Sequence, residues 1–322
     1  PAAAGADDCP ALGLLQRAAS HAGRAPGRLP AAAGEGWPRP LNGRCLPIAW
    51  LHVPKCGSSF INALVHLPGE CHDVPEDVEV TDANFGFDNL AGFFHAYPGN
   101  CPGHFFTGGD HRGVGGEVPE YDAAWKGHGV TVLRQPEQRI LSAFHGNRHS
   151  WPVSELGLPP LYPARFARVT QGCAVKMLTR GGQSYDVKWL WNLGGVGPQW
   201  GGPCGDPKPP AKEEVELAKR RLREDFPFVG IQEKWELSMC LFHATFGGPC
   251  RAAEFANARR PATSAARSHD VARLRGFRDA YDGELYEEAR AIMRERMLRY
   301  NVSAEACQPC FREASVSYPG GQ

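Results

Sequence analysis

The chain has 322 residues, 42% of them apolar and 22% charged, which places it among globular proteins with one large domain or two small ones. Lys plus Arg and Asp plus Glu stand at 35 each, so no global field recruits nucleic acid or a membrane surface, and any anion site must be local. No apolar run reaches the roughly 18 residues that a membrane span needs.

Residues 1–44 are rich in Ala, Gly, Pro and Arg with little periodicity and read as a flexible tail or stem, with a short helix over 11–19. Because the chain begins at Pro1 rather than Met, a leader or membrane anchor upstream is an open expectation. The folded domain is expected over residues 45–300. Residues 47–53 form an apolar run that predicts a buried strand, followed by a helix over 57–67. At their junction stands His52-Val53-Pro54-Lys55-Cys56-Gly57-Ser58-Ser59-Phe60. Gly57 permits a tight turn, the first helical N–H groups point outward, Ser58 and Ser59 add hydroxyls, and Lys55 adds a mobile charge. Those residue types suit a phosphate or phosphosulfate, although a plain strand–turn–helix with a serine cap would look the same. The lysine precedes the glycine, unlike the nucleotide-binding pattern GxxxxGK[ST], which argues against an ATPase or kinase.

Two further strands are predicted over 103–107 and 129–133. After the second, Arg134-Gln135-Pro136-Glu137-Gln138-Arg139-Ile140-Leu141-Ser142 repeats the same architecture. Pro136 suits the first helical turn of a helix over 136–145, and Arg134 with Ser142 reads as a phosphate clamp. The stretch 181–210, rich in Gly and Pro and carrying Trp189, Trp191 and Trp200, reads as a loop insertion. A helix over 211–224 with Val215, Ala218 and Leu222 on one face leads into a strand over 226–231. Next comes a helix whose stripe is Trp235, Met239, Phe242 and Phe246. A last long helix over 274–300 carries Leu285, Ala289 and Ile292, and residues 301–322 read as a C-terminal tail. Strands alternating with helices predict an α/β fold with a doubly wound, mainly parallel sheet, whose ligands lie beyond the carboxyl ends of the strands.

Eleven cysteines are many for a cytosolic enzyme. Cys240/Cys250 and Cys307/Cys310 are near enough in sequence to bridge locally, and Asn301-Val302-Ser303 is a glycan acceptor sequon. These features favour the secretory pathway and a glycoprotein. Cys307 and Cys310 lack a second Cys or His pair at zinc spacing, so no metal is expected.

The two loops together resemble the signatures of the sulfotransferases that use 3′-phosphoadenosine 5′-phosphosulfate (PAPS). Residues 52–60 resemble that family's 5′-phosphosulfate loop (PKTGTT or PKCGSS-like), and residues 133–144 its 3′-phosphate element (R-x-P-x-x-R-x-x-S). Their separation of about eighty residues is similar to that in the Golgi-type carbohydrate O-sulfotransferases. Residues 211–246 and 279–297 resemble the family's later helix–strand–helix and closing helix, so the likeness covers most of 46–300. The family's Asn-x-Gln has no counterpart near 171–178.

The resemblance implies a P-loop-like, three-layer α/β/α sulfotransferase fold. It implies transfer of a sulfuryl group from PAPS, as co-substrate and without a metal, to an acceptor hydroxyl, and a carbohydrate is the expected acceptor. The Golgi lumen, as the ectodomain of a type II membrane protein, is the implied location. Lys55 would stabilise the leaving phosphate oxygen, and Cys56, Gly57, Ser58, Ser59 and Phe60 would hold the phosphosulfate. Arg134 and Ser142 would hold the 3′-phosphate. His111 is the expected general base, with Asp110, Glu117 and Glu120 as carboxylate alternatives. His145, Arg148 and His149 lie close in sequence to the second loop, where they would touch the ligand or line a solvated basic surface. A non-catalytic nucleotide-binding protein of the same fold, or a tyrosine or small-alcohol sulfotransferase, is the competing reading.

Overall fold

A computed structural model describes residues 48–68, 70–71, 74–86, 89–97, 111, 113–114, 125–146, 148–152, 156–157, 159–180, 202–258 and 269–317. The stem 1–44, the strand expected over 103–107, the carboxylates Asp110, Glu117 and Glu120, and Trp189, Trp191 and Trp200 lie outside these residues.

Three apolar runs form a parallel sheet, β1 (Ala49–Leu51), β2 (Gly129–Leu133) and β3 (Phe228–Ile231), with β2 in the middle. Ala49 pairs with Gly129, and Leu133 with Ile231. Every strand residue is buried, as a parallel sheet requires. The one hydroxyl among them, on Thr131, donates to the Leu51 carbonyl at 2.9 Å.

The helices follow the chain's apolar periodicity. The 3₁₀ turn Ser58–Phe60 runs into α1 (Ile61–Val65), shorter than the predicted helix because the left-handed Gly57 delays its start. Then come α2 (Asp82–Phe85), α3 (Asn89–Ala96) and α4 (Pro136–His145). In α4 Pro136 opens the helix and the Gln135 side chain accepts from Gln138 N–H at 2.8 Å. After α5 (Pro163–Thr170) and α6 (Cys173–Thr179), α7 (Lys212–Glu224) buries the expected Val215, Ala218 and Leu222. In α8 (Trp235–Phe246), Met239, Phe242 and Phe246 are buried while Trp235 is half-buried. A short α9 (Ala252–Phe255) follows. The last long helix, α10 (Ala280–Arg299), starts six residues later than predicted, because Arg275 and Gly276 take left-handed φ and Asp279 supplies a fresh cap, accepting from Asp282 N–H at 3.1 Å. Helices α8 and α10 pack on β3. Beside the main core, Ile140, Leu141, Phe144, Trp151, Phe166 and Leu274 form a second apolar cluster under α4 and α5.

Two expectations are corrected. Residues 301–317 are not a tail but carry α11 (Gln308–Glu313), whose Phe311 is buried in the core. The local cysteine pairs do not form either, since the disulfides are Cys240–Cys307 and Cys250–Cys310. Cys307 is the residue before α11 and Cys310 lies in its first turn, so the two, three apart, bridge to Cys240 within α8 and to Cys250 just after it. A third disulfide joins Cys173 to Cys204. These three disulfides among the described residues fit a secretory or extracellular protein. Among the described residues, no helix is long and apolar enough to cross a membrane.

Candidate functional site

The carboxyl ends of β1 and β2 each run into a loop and then a helix, as the sequence predicts. After β1 the chain turns sharply: Lys55 has φ +67° and Gly57 φ +87°. Only glycine fits the second position, since an added methyl would lie 2.5 Å from the Trp235 ring. Trp235 is itself fixed by its indole N–H, which donates to the Glu254 carbonyl at 2.8 Å. The N–H groups of Gly57, Ser58 and Ser59 donate to no described residue. Those of Cys56 and Phe60 are used internally, by the carbonyls of Val53 (3.2 Å) and Gly57 (3.1 Å). Phe60 and Cys56 thus leave the set of anion donors. Phe60 is a core ring instead, stacked on Phe228 at 5.4 Å. The buried Cys56 thiol is pushed up to about 12 by burial and stays neutral. The Ser58 hydroxyl meets His52 Nε2 at 3.2 Å, and the Ser59 hydroxyl accepts from Ala258 N–H at 2.9 Å while keeping its own proton to donate.

The second loop meets the first. Arg134 donates from Nη1 to the Lys55 carbonyl at 3.4 Å. Lys55 in turn reaches the far end of α4, where a methyl placed on Gly146 would be 2.8 Å from its Nζ. Ser142, half-buried, lies on α4 one turn before that end. The two loops therefore lie in contact. Arg139 turns away from that contact: the side chain is buried, donates to the Thr170 carbonyl at 3.0 Å and faces Asp282 at 3.7 Å. Glu233 is the acid nearest Arg134, and both of its oxygens are engaged, by Gln135 N–H (3.0 Å) and the Tyr286 hydroxyl (2.9 Å).

The structure adds residues that sequence reasoning missed. Residues 269–275 fold against α4, with His269 N–H donating to Gln138 Oε1 at 2.8 Å and Gln138 Nε2 donating to the His269 carbonyl at 2.9 Å. The His269 ring stacks on His145 at 5.2 Å, and Arg273 donates to His145 Nε2 at 2.8 Å. Because arginine only donates, His145 accepts there and is neutral, and burial together with Arg273 and Arg148 lowers its pKa. His269 is held down to about 4, first by burial and then by Arg134, His145, Arg273 and Lys55. The cations among these causes come from both loops and from residue 273. The signal in the sequence was faint, because His145 and Arg273 stand 128 residues apart.

His111 is buried beside His52. Its Nδ1 lies 2.8 Å from the His52 carbonyl, which can only accept, so Nδ1 carries a proton. The His111 ring lies 4.5 Å from that of His52 and 4.7 Å from that of His149. Arg148 and Ser150, either side of His149, hold left-handed φ of +53° and +71°, a strained turn of the kind found at working sites. Arg148 itself lies over the Phe144 ring at 4.3 Å. Among the described residues, no group of three or more His, Cys, Asp or Glu is arranged to hold a metal ion.

Comparison of the chain with family models, with curated proteins and with solved structures finds no match.

Proposed function

We propose that the protein is a PAPS-dependent O-sulfotransferase of three-layer α/β/α architecture that works in the secretory pathway, in the Golgi lumen, on a carbohydrate hydroxyl. One observation carries the reading: Arg134 donates to the carbonyl of Lys55, which supports two loops on neighbouring strand ends serving one ligand. A nucleotide phosphorylated at both ends would offer one anion to each loop. The residues present fit it, since Lys55, Arg134 and Ser142 on the two loops, with Arg273 beside α4, supply cationic and hydroxyl donors.

When bound, the donor supplies an activated sulfuryl group and a phosphate leaving group. Gly57, Ser58 and Ser59 offer backbone N–H groups to the sulfate end, and the Ser59 hydroxyl adds a donor. Lys55 neutralises the charge that grows on the leaving oxygen. Arg134, Ser142 and Arg273 hold the 3′-phosphate end. His111 Nε2 accepts the acceptor's hydroxyl proton as the new S–O bond forms and the S–O bond to the 5′-phosphate breaks. Positioning and charge stabilisation supply the rest. Asn301, exposed at the end of α10, is the expected glycan site of a lumenal protein.

The test is calorimetric and enzymatic. The desulfated product, 3′-phosphoadenosine 5′-phosphate, is expected to bind without magnesium, and ATP with magnesium to bind poorly. Lys55→Ala and Arg134→Ala are each expected to abolish transfer from radiolabelled PAPS across panels of glycans, tyrosine peptides and small alcohols. Wild-type rates in both variants would end the proposal.

A further inference from the structure

The geometry assigns the Cys173–Cys204 disulfide a positioning role: it holds the turn 202–206 across the backbone of His111 and so fixes the imidazole. This rests on the reading of His111 as the base.

Cys173 opens α6, and Cys204 is the middle residue of the 3₁₀ turn Pro203–Gly205. The turn lies on the segment that carries His111. Gly202 has φ +46°, and a methyl there would overlap the His111 carbonyl oxygen. A methyl on Gly113 would come 2.8 Å from the Pro203 ring, and Val114 N–H donates to the Met177 carbonyl of α6 at 2.7 Å. One on Gly205 would come 3.2 Å from the carbonyl of Ser150, next to the His149 that abuts the His111 ring. The histidine is thus bounded by three neighbours: the His52 carbonyl at Nδ1, the His149 ring at its side and the stapled turn at its backbone. The turn alone among these is covalently tied to α6.

The turn keeps other ties to α6 when the disulfide is absent. Lys176 Nζ donates to the Asp206 carbonyl at 2.6 Å, and Arg180 pairs with Asp206 at 2.7 Å. Opening the disulfide should therefore loosen the turn near Cys204 without unfolding α6. Arg134 is held to the first loop by its bond to the Lys55 carbonyl, which opening the disulfide leaves in place. The expected signature is a separation: donor affinity is kept and the base is misplaced.

The experiment compares Cys173→Ser/Cys204→Ser with Cys240→Ser/Cys307→Ser, a disulfide remote from His111, and with Gly202→Ala, which disturbs the same contact with both cysteines intact. Long-range nitrogen–proton NMR reads the tautomer and titration midpoint of His111 and needs no donor. In the wild type Nδ1 is expected to be protonated. In the first variant and in Gly202→Ala that signature is expected to blur and the midpoint to move, while the remote variant keeps both. Sulfate release to water from labelled PAPS should fall about a hundredfold in the same two variants, the usual contribution of a general base, with 3′-phosphoadenosine 5′-phosphate affinity within about twofold of wild type. Should Cys173→Ser/Cys204→Ser fail to fold, Gly202→Ala decides alone. An unchanged His111 signature in whichever of these variants folds overturns the positioning role. Loss of nucleotide binding in the wild type would instead overturn the sulfotransferase reading and leave the NMR comparison standing.

Discussion

The two anion loops begin alike, at the ends of adjacent parallel strands, and are built by opposite means. The first is a backbone device. Its shape comes from two left-handed residues, Lys55 and Gly57, and its donors are N–H groups that any side chain could carry. It is braced from outside, by the Trp235 ring against Gly57 and by Ala258 N–H on the Ser59 hydroxyl. The second is a side-chain device on an ordinary helix, opened by Pro136, capped by Gln135 and anchored by the buried Arg139. A backbone device tolerates almost no change in shape and a side-chain device almost no change in charge. The variants that injure each should therefore differ in kind.

The largest effect is expected at Gly57. Gly57→Ala forces a side chain into the left-handed region, at about 1–2 kcal/mol, and into the Trp235 ring, at about 1–3 kcal/mol more. The loop should lose its shape, so that nucleotide binding disappears in calorimetry and the melting temperature falls. If Gly57→Ala binds 3′-phosphoadenosine 5′-phosphate normally, the backbone account of this loop is wrong. Arg134→Ala comes next. It removes a charge-assisted contact of about 1.5–3 kcal/mol, so product affinity should drop roughly ten- to a hundredfold, with little change in melting because α4 keeps its cap and its buried Arg139. A large stability loss in Arg134→Ala would show the residue to be a brace rather than a ligand contact. Arg273→Ala should do less, about fivefold in affinity, since this side chain is more exposed to screening solvent.

The sequence made the regular parts of this pattern legible and hid the assembled ones. The strand over 129–133 and the helix over 136–145 are found as predicted, because Gly129, Pro136 and the apolar runs are local punctuation. The loops that follow β1 and β2 were readable for the same reason. What was hidden depends on contacts across the chain: Trp235 on Gly57, His269 and Arg273 on His145, and the exchange of cysteine partners that makes 301–317 part of the fold. Phe60 was misread as a ligand contact because a loop motif does not say which of its N–H groups the turn itself consumes. No periodicity reports a residue's neighbour 128 positions away.

The smallest expected effect is the most discriminating, because it tests whether His269 belongs with the second loop. In the free protein His269 is held down to about 4, below the roughly 6.5 of an unfolded histidine. The sign follows from linkage. Between those two values the unfolded chain takes up a proton that the folded protein refuses, so this group costs the fold stability as pH falls from about 6.5 towards 4. An anion placed among Arg134, Arg273 and Lys55 cancels the cations that depress the ring and raises its pKa. Binding of 3′-phosphoadenosine 5′-phosphate should then take up a fraction of a proton near pH 6, and affinity should increase as pH falls through the same window. Salt should weaken the linkage, since the ring is partly exposed and screening reaches it. Calorimetry at pH 6 in two buffers of different ionisation enthalpy measures the uptake directly, and His269→Asn should remove it while leaving Arg134 in place. Buffer-independent heats in the wild type would detach residues 269–273 from the site and leave Arg134 and Ser142 as the second loop's whole grip.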